Sequence, residues 1–96
     1  MAAYFIVDYH EITDPQTLGE YRQRVTATLD QYGGSFLVRG GATQTIEGEW
    51  STPRLVVIAF DDVESFERWY HSPEYTKILP LRLKASRARA ILAQGV

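Results

Sequence analysis

The sequence predicts one α+β domain over residues 1–96, and three observations indicate this fold class. Short β-branched and aromatic runs, such as the one from Arg54 to Phe60, are typical of strands. Between these runs, apolar residues recur every three or four positions, as they do on one face of a helix. Prolines and glycine pairs separate the segments, where turns and helix ends are expected.

The first strand is predicted from Ala3 to Tyr9, and a helix follows it. Pro15, preceded by a capping Asp14 or Thr13, is a common start of a helix. The pair Gly33-Gly34 can adopt the left-handed conformation that ends many helices. Between these signals, the apolar helix face consists of five residues at spacings of three or four: Leu18, Tyr21, Val25, Leu29 and Tyr32.

A second strand is predicted from Ser35 to Arg39. We expect Gly40-Gly41 to bend it and the extended chain to continue from Thr43 to Glu47. After a turn, the segment from Arg54 to Phe60 is the third strand, and it is apolar on both alternating sets of positions.

The last part of the chain is predicted to hold helices and a final strand. Asp61 and Asp62 are expected to cap one helix, and Ser72-Pro73 to start another, which Pro80 interrupts. A last strand follows from Arg87 to Ala93. The order β-α-β-β-α-β is the ferredoxin-like arrangement, a four-stranded antiparallel sheet with helices on one face. Within this sheet, the first and third strands are expected to be central and, as the one exception, parallel to each other.

Both faces of the central strands are apolar, which predicts a homodimer. Phe5 and Val7 alternate with Tyr4 and Ile6, so neither face of the first strand is polar. Helices cover only one sheet face, and an apolar face left in water favours aggregation unless a partner covers it. A second copy, packed sheet on sheet, is the simplest partner. The alternative is a short first strand whose second face is covered by a chain terminus.

Composition excludes several classes of protein. The chain has no cysteine, which excludes disulfides, thiolate chemistry and cysteine-based metal sites. The formal net charge is −2 and basic residues are mostly scattered, which argues against a nucleic-acid partner. No apolar stretch approaches the roughly 20 residues that span a membrane, so no membrane partner is expected and the expected compartment is the cytoplasm. No pattern indicates a metal or another cofactor.

Four strings of the chain resemble one bacterial family, the domain of unknown function 1330. They occur in the family's order: Leu37-Val38-Arg39-Gly40-Gly41, Glu47-Gly48-Glu49-Trp50, Arg54-Leu55-Val56-Val57-Ile58 and Trp69-Tyr70-His71-Ser72-Pro73-Glu74-Tyr75. The resemblance implies a ferredoxin-like fold and a dimer of the dimeric α/β-barrel type. It implies no known activity, since that superfamily includes both enzymes and ligand-sensing domains. Ala59 departs from the family pattern, in which an acidic residue is expected.

Arg39 is the first candidate for binding a ligand. It ends an apolar strand and precedes two glycines, which allow a ligand or another backbone to approach closely. A guanidinium at this point can bind a carboxylate or an enolate with two hydrogen bonds. The alternative is a structural ion pair with Glu47. Arg82, on the last helical segment, points either at the same cleft or at water.

Aromatic residues near the junction of two helices are further candidates for lining a small-molecule cleft. Trp and Tyr combine apolar rings with polar tips, which suits such a lining. The alternative is an ordinary core between helix and sheet. The candidates are Trp69, Tyr70 and Tyr75.

Candidates for catalysis are fewer. His10, just beyond the first predicted strand, and Tyr70 could transfer a proton. His10 stands without a second histidine at metal-binding spacing, and an exposed loop position is its alternative interpretation.

Glu47, Trp50 and Arg54 bracket the turn before the third strand. Their simplest role is a hairpin stabilised by an ion pair and covered by a tryptophan. At the edge of a dimer they could instead contact the partner, so we predict them as interface residues.

Three functional hypotheses remain open from the sequence. The first is a domain that binds an anionic or aromatic metabolite between sheet and helices. The second is a cofactor-independent isomerase or oxygenase, with Arg39 holding an anionic oxygen and His10 or Tyr70 moving a proton. The third is a purely structural or interaction dimer.

Overall fold

A computed structural model describes residues 1–96. The chain forms four strands and four helices, with a single 3₁₀ turn, Asp30–Tyr32, directly after the first helix. The elements in chain order are β1 (Ala3–Ile12), α1 (Pro15–Leu29), β2 (Ser35–Arg39), β3 (Arg54–Phe60), α2 (Val63–Tyr70), α3 (Pro73–Thr76), α4 (Leu79–Ala85) and β4 (Ser86–Gln94). None of the helices has both the length and the apolar composition needed to cross a bilayer.

The strands form one sheet in the order β2-β3-β1-β4, and every neighbouring pair is antiparallel. The ferredoxin-like fold predicted from the sequence is therefore confirmed, with β1 and β3 in the centre. The prediction that these two strands run parallel is wrong, because Ala3 pairs with Phe60 and Tyr9 with Arg54. The strands that share a direction are β1 and β2, which α1 connects, and β3 lies between them.

The helix starts follow the predicted capping residues. The Asp14 carboxylate accepts a hydrogen bond from the backbone N–H of Thr17, at 3.1 Å. At α2 the Asp62 carboxylate accepts one from the N–H of Ser65, at 2.8 Å. The left-handed Gly33, with φ of 73°, follows the 3₁₀ turn. Pro80 does not interrupt a helix but lies in the first turn of α4, where its missing N–H costs no hydrogen bond.

Two segments differ from their predicted lengths. β1 continues to Ile12, so His10 lies within the strand. β2 ends at Arg39, and the expected extension from Thr43 to Glu47 forms no strand but belongs to an irregular connection, residues 40–53. This connection turns away from the sheet edge at Gly40, which has a positive φ of 73°.

The core lies between the helices and one face of the sheet. Alternate residues of β1 and β3 face α1 and the later helices, as their pairing register requires. The buried cluster consists of Phe5, Val7, Tyr9, Leu18, Tyr21, Val25, Leu29, Val56, Ile58, Phe60, Trp69, Tyr75, Ile78 and Ala85.

The opposite sheet face, which we call the open face, carries no helix. Its centre is apolar, because Ile6 of β1 pairs with Val57 of β3 and with Ile91 of β4. Ile91 is 63% exposed. β1 is ten residues long, so the alternative of a short first strand does not account for its second apolar face.

Candidate functional site

A narrow cleft between α1 and the sheet is lined by apolar side chains and three arginines. We call it the arginine cleft and define it by Tyr9, Tyr21, Arg22, Arg39 and Arg54. Its enclosed cavity has a volume of about 20 Å³, which is room for one water molecule or one oxygen atom. A surface depression of about 360 Å³ adjoins it and shares the side chains of Arg22 and Arg39.

Arg39 lies at the mouth of this cleft, at the end of β2. Its Nη2 donates a hydrogen bond to the backbone carbonyl of Arg22 on α1, at 2.8 Å. Its guanidinium also lies over the ring of Phe36, 4.2 Å from the centroid. The ion pair with Glu47 that the sequence offered as an alternative does not form. Arg39 is therefore held in place by neutral groups, and its charge is not neutralised.

Arg54 reaches the cleft from the first position of β3. Its guanidinium lies directly against Gly40, where a side chain on the glycine would collide with it. Its Nε is buried and has no hydrogen-bond partner. Burial, together with the positive charges of Arg22 and Arg39, lowers the pKa of Arg54 below the ordinary value. The three guanidinium groups are thus close enough to repel one another.

The cleft contains no carboxylate that balances these charges. The four ion pairs of the chain join other arginines to acids: Arg24 to Glu20, Arg68 to Glu64, Arg87 to Glu11 and Arg89 to Asp8. Three positive charges therefore converge on one opening of a chain whose formal net charge is −2. Such a concentration of charge attracts anions.

Behind the cleft lies a buried arginine among tyrosines. Arg82 of α4 is only 4% exposed. Tyr75, Tyr21 and Tyr9 are the ionisable groups that act most strongly on the pKa of Arg82. Burial opposes the charge of Arg82, but these hydroxyls favour it, and its pKa lies above the ordinary value. The Tyr21 and Tyr75 hydroxyls are hydrogen-bonded at 2.8 Å.

These tyrosines are uncharged at neutral pH. Burial raises the pKa of Tyr21 far above its ordinary value and raises the pKa of Tyr75 and Tyr9 in the same direction. Each hydroxyl can therefore donate a hydrogen bond to an anionic ligand atom.

The predicted aromatic residues lie beside the cleft rather than along it. Trp69 and Tyr75 are completely buried, with their ring centroids 3.9 Å apart. The indole Nε1 of Trp69 donates to the Thr28 hydroxyl, at 2.9 Å. Tyr70 is partly buried and stacks on Phe66. None of the three lines the cavity, and ligand binding by Trp69, Tyr70 and Tyr75 stays a prediction.

His10 is exposed and lines none of the pockets. The structure does not bring it to the arginine cleft, because Tyr9 faces the helices and the side chain that follows it does not. No group of three or more His, Asp or Glu side chains is placed to hold a metal ion. Proton transfer by His10 or Tyr70 stays a prediction.

The three predicted interface residues lie apart. Arg54 faces the helices and belongs to the arginine cleft. Trp50 lies on the open face, where its Nε1 donates to the carboxylate of Asp8, at 3.2 Å. Arg89 Nε donates to the same Asp8 oxygen, at 3.1 Å. Glu47 is exposed in the irregular connection.

Sequence reasoning missed Tyr9, Tyr21 and Arg22 as site residues. Tyr9 and Tyr21 were assigned only to the strand and to the apolar helix face. A signal was available for Arg22, since it follows Tyr21 on α1 and thus borders the helix face that packs on the sheet.

The fold and this site define the class of the protein: a ferredoxin-like α+β domain with an arginine-lined cleft between sheet and helix. The chain belongs to the family described as domain of unknown function DUF1330, whose model matches residues 2–96. The resemblance inferred from the four sequence strings is thereby confirmed. No curated protein sequence matches the chain.

Solved structures share the fold at low sequence identity. A protein of unknown function from Rhodopseudomonas palustris has a TM-score of 0.79 and 13% identity, covering 99% of this chain and 82% of that one. The cofactor-independent oxygenase SnoaB from Streptomyces nogalater has a TM-score of 0.70 and 15% identity, covering 99% and 93%. A dimeric ferredoxin-like protein of unknown function from Jannaschia sp. has a TM-score of 0.68 and 12% identity, covering 99% and 100%.

Proposed function

We propose that this chain is a homodimeric domain that binds a small anionic metabolite in the arginine cleft. The observation that carries the proposal is the convergence of Arg22, Arg39 and Arg54 on one opening that contains no carboxylate. Arginine binds carboxylates through two parallel hydrogen bonds, so a carboxylic acid is the favoured ligand class.

The size of the cleft limits how the ligand sits. The enclosed cavity holds a single small group, whereas small-molecule sites usually measure about 300–1,000 Å³. The adjoining depression of about 360 Å³ reaches that size. We therefore place most of the ligand in the depression, with its acidic group against Arg39.

Thermal unfolding in the presence of a library of anionic and aromatic metabolites tests the proposal. A ligand that binds only the folded protein raises the melting temperature by mass action. We expect at least one carboxylic acid to stabilise the wild type and not Arg39→Ala. Arg24→Ala is the matched control, because Arg24 also lies on α1 but is exposed and pairs with Glu20. If no compound raises the melting temperature of the wild type, or if both variants lose the stabilisation equally, a site at Arg39 is contradicted. Either result favours the structural or interaction dimer.

The homodimer is supported by the open face. A continuous apolar surface across three strands needs a cover, and a second copy supplies an equal apolar surface by two-fold symmetry. The Jannaschia protein, described as dimeric, has the same fold.

A cofactor-independent enzyme is the second candidate function. The hydrogen-bonded hydroxyls of Tyr21 and Tyr75, beside Arg82, favour this function. Such a pair could transfer a proton to or from a ligand, while the positive charge of Arg82 stabilises a negative charge that develops on the ligand. The fold shared with the oxygenase SnoaB is consistent with it. A metabolite that stabilises the protein should then disappear on incubation without added cofactor, with or without oxygen uptake. His10→Ala and Tyr70→Phe would show whether either residue moves the proton, and binding without turnover leaves the first candidate.

A further inference from the structure

The enclosed part of the arginine cleft has the size of one small particle. Its volume of about 20 Å³ leaves room for a single water-sized group, so a whole carboxylate does not fit inside it. The walls are mostly apolar, and the only charged residues among them are Arg22, Arg39 and Arg54. An occupant of the cavity is therefore a single atom, or a water molecule, close to three positive charges.

The polar groups around this cavity are mainly hydrogen-bond donors. Guanidinium groups can only donate, and the two tyrosines of the lining, Tyr9 and Tyr21, keep their hydroxyl protons at neutral pH. Arg54 has a buried Nε without a hydrogen-bond partner. A water molecule needs acceptors for its own protons as well as donors, whereas an anion needs donors alone. The lining therefore suits an anion better than it suits water.

The charges of the cleft favour the same occupant. Arg22, Arg39 and Arg54 take part in none of the four ion pairs, so no carboxylate of the chain compensates their mutual repulsion. Burial and the positive charges of the other two arginines lower the pKa of Arg54. An anion between the guanidinium groups replaces repulsion by attraction, and the apolar walls strengthen this attraction because they exclude water.

We propose that this cavity binds a single halide ion such as chloride, and that the acidic group of the metabolite displaces it. Halides are the stable one-atom anions in water, so size and charge together select them. Displacement follows because an acidic group against Arg39 brings one oxygen to the opening of the same cavity. The halide site stands independently, whereas its displacement rests on the proposed function.

Broadening of the ³⁵Cl NMR signal, at constant ionic strength, measures the chloride that the protein binds. We expect the wild type to broaden the signal. Val56→Ile should weaken chloride binding about tenfold, because the added methyl group fills the cavity that Val56 lines. Val57→Ile is the matched control, since Val57 is the next residue of β3 and lies on the open face. Both variants keep the three arginines, so a difference between them reports on the cavity and not on the charge.

Competition between halides gives a second measurement on the wild type alone. Bromide should displace chloride more effectively than the larger iodide does, because a close-packed interior resists expansion. Adsorption to exposed arginines gives the opposite order, since weakly hydrated guanidinium groups prefer the weakly hydrated iodide. The halide site is overturned if iodide displaces chloride more effectively than bromide, or if Val56→Ile and Val57→Ile bind chloride equally.

Carboxylates separate this inference from the proposed function. Benzoate and succinate should narrow the broadened chloride signal of the wild type, because their acidic groups displace chloride. Chloride binding that neither acid reduces overturns the displacement and leaves the halide site. If the wild type binds no chloride while a carboxylic acid raises its melting temperature, the halide site is overturned and the proposed function stands. Absence of both effects overturns both.

Discussion

At the scale of single residues, the arginine cleft depends on a glycine. Gly40 has a φ of 73°, a conformation that disfavours residues with a side chain. The Arg54 guanidinium also occupies the space that a side chain at this position would need. The sequence indicated Gly40 as a point of close approach, and the group that approaches it in the structure is Arg54.

Gly40→Ala should destabilise the protein by about 1–3 kcal/mol, because it strains the backbone and displaces Arg54. Urea unfolding measures this change in the free energy of unfolding. Gly41→Ala is the matched control, since Gly41 has no heavy atom within 4 Å of the added carbon and no positive φ. If the two substitutions change the free energy of unfolding equally, the position of the Arg54 side chain does not depend on Gly40.

A second residue, Asp8, makes stability depend on pH. The Thr52 hydroxyl, the Arg89 guanidinium and the Trp50 indole hold the pKa of Asp8 below its ordinary value, although burial opposes them. A carboxyl group with a lowered pKa in the folded state stabilises the protein above its unfolded pKa of about 3.9. This contribution is lost as the pH falls through the lower, folded pKa.

Asp8→Asn should therefore be less stable than the wild type at pH 7, and the difference should shrink as the pH falls below about 4. Urea unfolding at pH 7, 5 and 3 measures it. Asp61→Asn, at an exposed position, serves as the control. A difference that stays constant from pH 7 to pH 3 would show that ionised Asp8 does not contribute to stability.

At the scale of elements, one serine joins two helices. The Ser72 hydroxyl donates to the carbonyl of Trp69 at the end of α2, at 2.7 Å. It also accepts from the N–H of Tyr75 at the start of α3, at 3.1 Å. Ser72 is 4% exposed, so water cannot replace these bonds. The serine thus fixes the position from which the Tyr75 hydroxyl meets Tyr21.

Ser72→Ala should lower the free energy of unfolding by about 1–2 kcal/mol, since it removes a helix cap and leaves the buried N–H of Tyr75 unpaired. The Trp69 carbonyl keeps its hydrogen bond from the backbone N–H of residue 72. Chemical denaturation measures the loss. Ser51→Ala, in the exposed part of the 40–53 connection, should leave stability unchanged. If the free energy of unfolding of Ser72→Ala equals that of the wild type, the junction of α2 and α3 does not depend on this cap.

At the scale of the whole molecule, the chain forms two layers, one of sheet and one of helices. Its dimensions of 34 × 34 × 17 Å describe a flat body whose open face is large relative to its thickness. A sheet buries each apolar face against another layer, and this chain supplies a layer for only one face. A second copy packed on the open face would complete a three-layer or barrel-like body.

Ile91→Glu should convert the proposed homodimer to a monomer, because it places a charge on the apolar part of the open face. Sedimentation velocity should give twice the mass of the chain for the wild type and the single mass for the variant. Leu83→Glu is the matched control, since Leu83 on α4 is 59% exposed but lies away from this face. A monomeric wild type, or a dimeric Ile91→Glu, would contradict packing through the open face.

The sequence by itself determined the elements of this protein and their order. Capping residues such as Asp14 and Asp62 and the apolar spacing on α1 act within a few residues, so local physics places these features. The alternation along β1 likewise determined that both sheet faces are apolar. The family strings are equally local, and so is the role of Gly33 as the end of the 3₁₀ turn that follows the first helix.

Only the tertiary structure decided the direction of β1 relative to β3 and the composition of the site. Arg22, Arg39 and Arg54 lie on three different elements, and Arg82 on a fourth. Their convergence depends on the strand register and on how α1 packs across the sheet, which spacing along the chain does not encode. The same packing placed Trp69 in the core and Arg82 among tyrosines, because burial depends on contacts between distant segments.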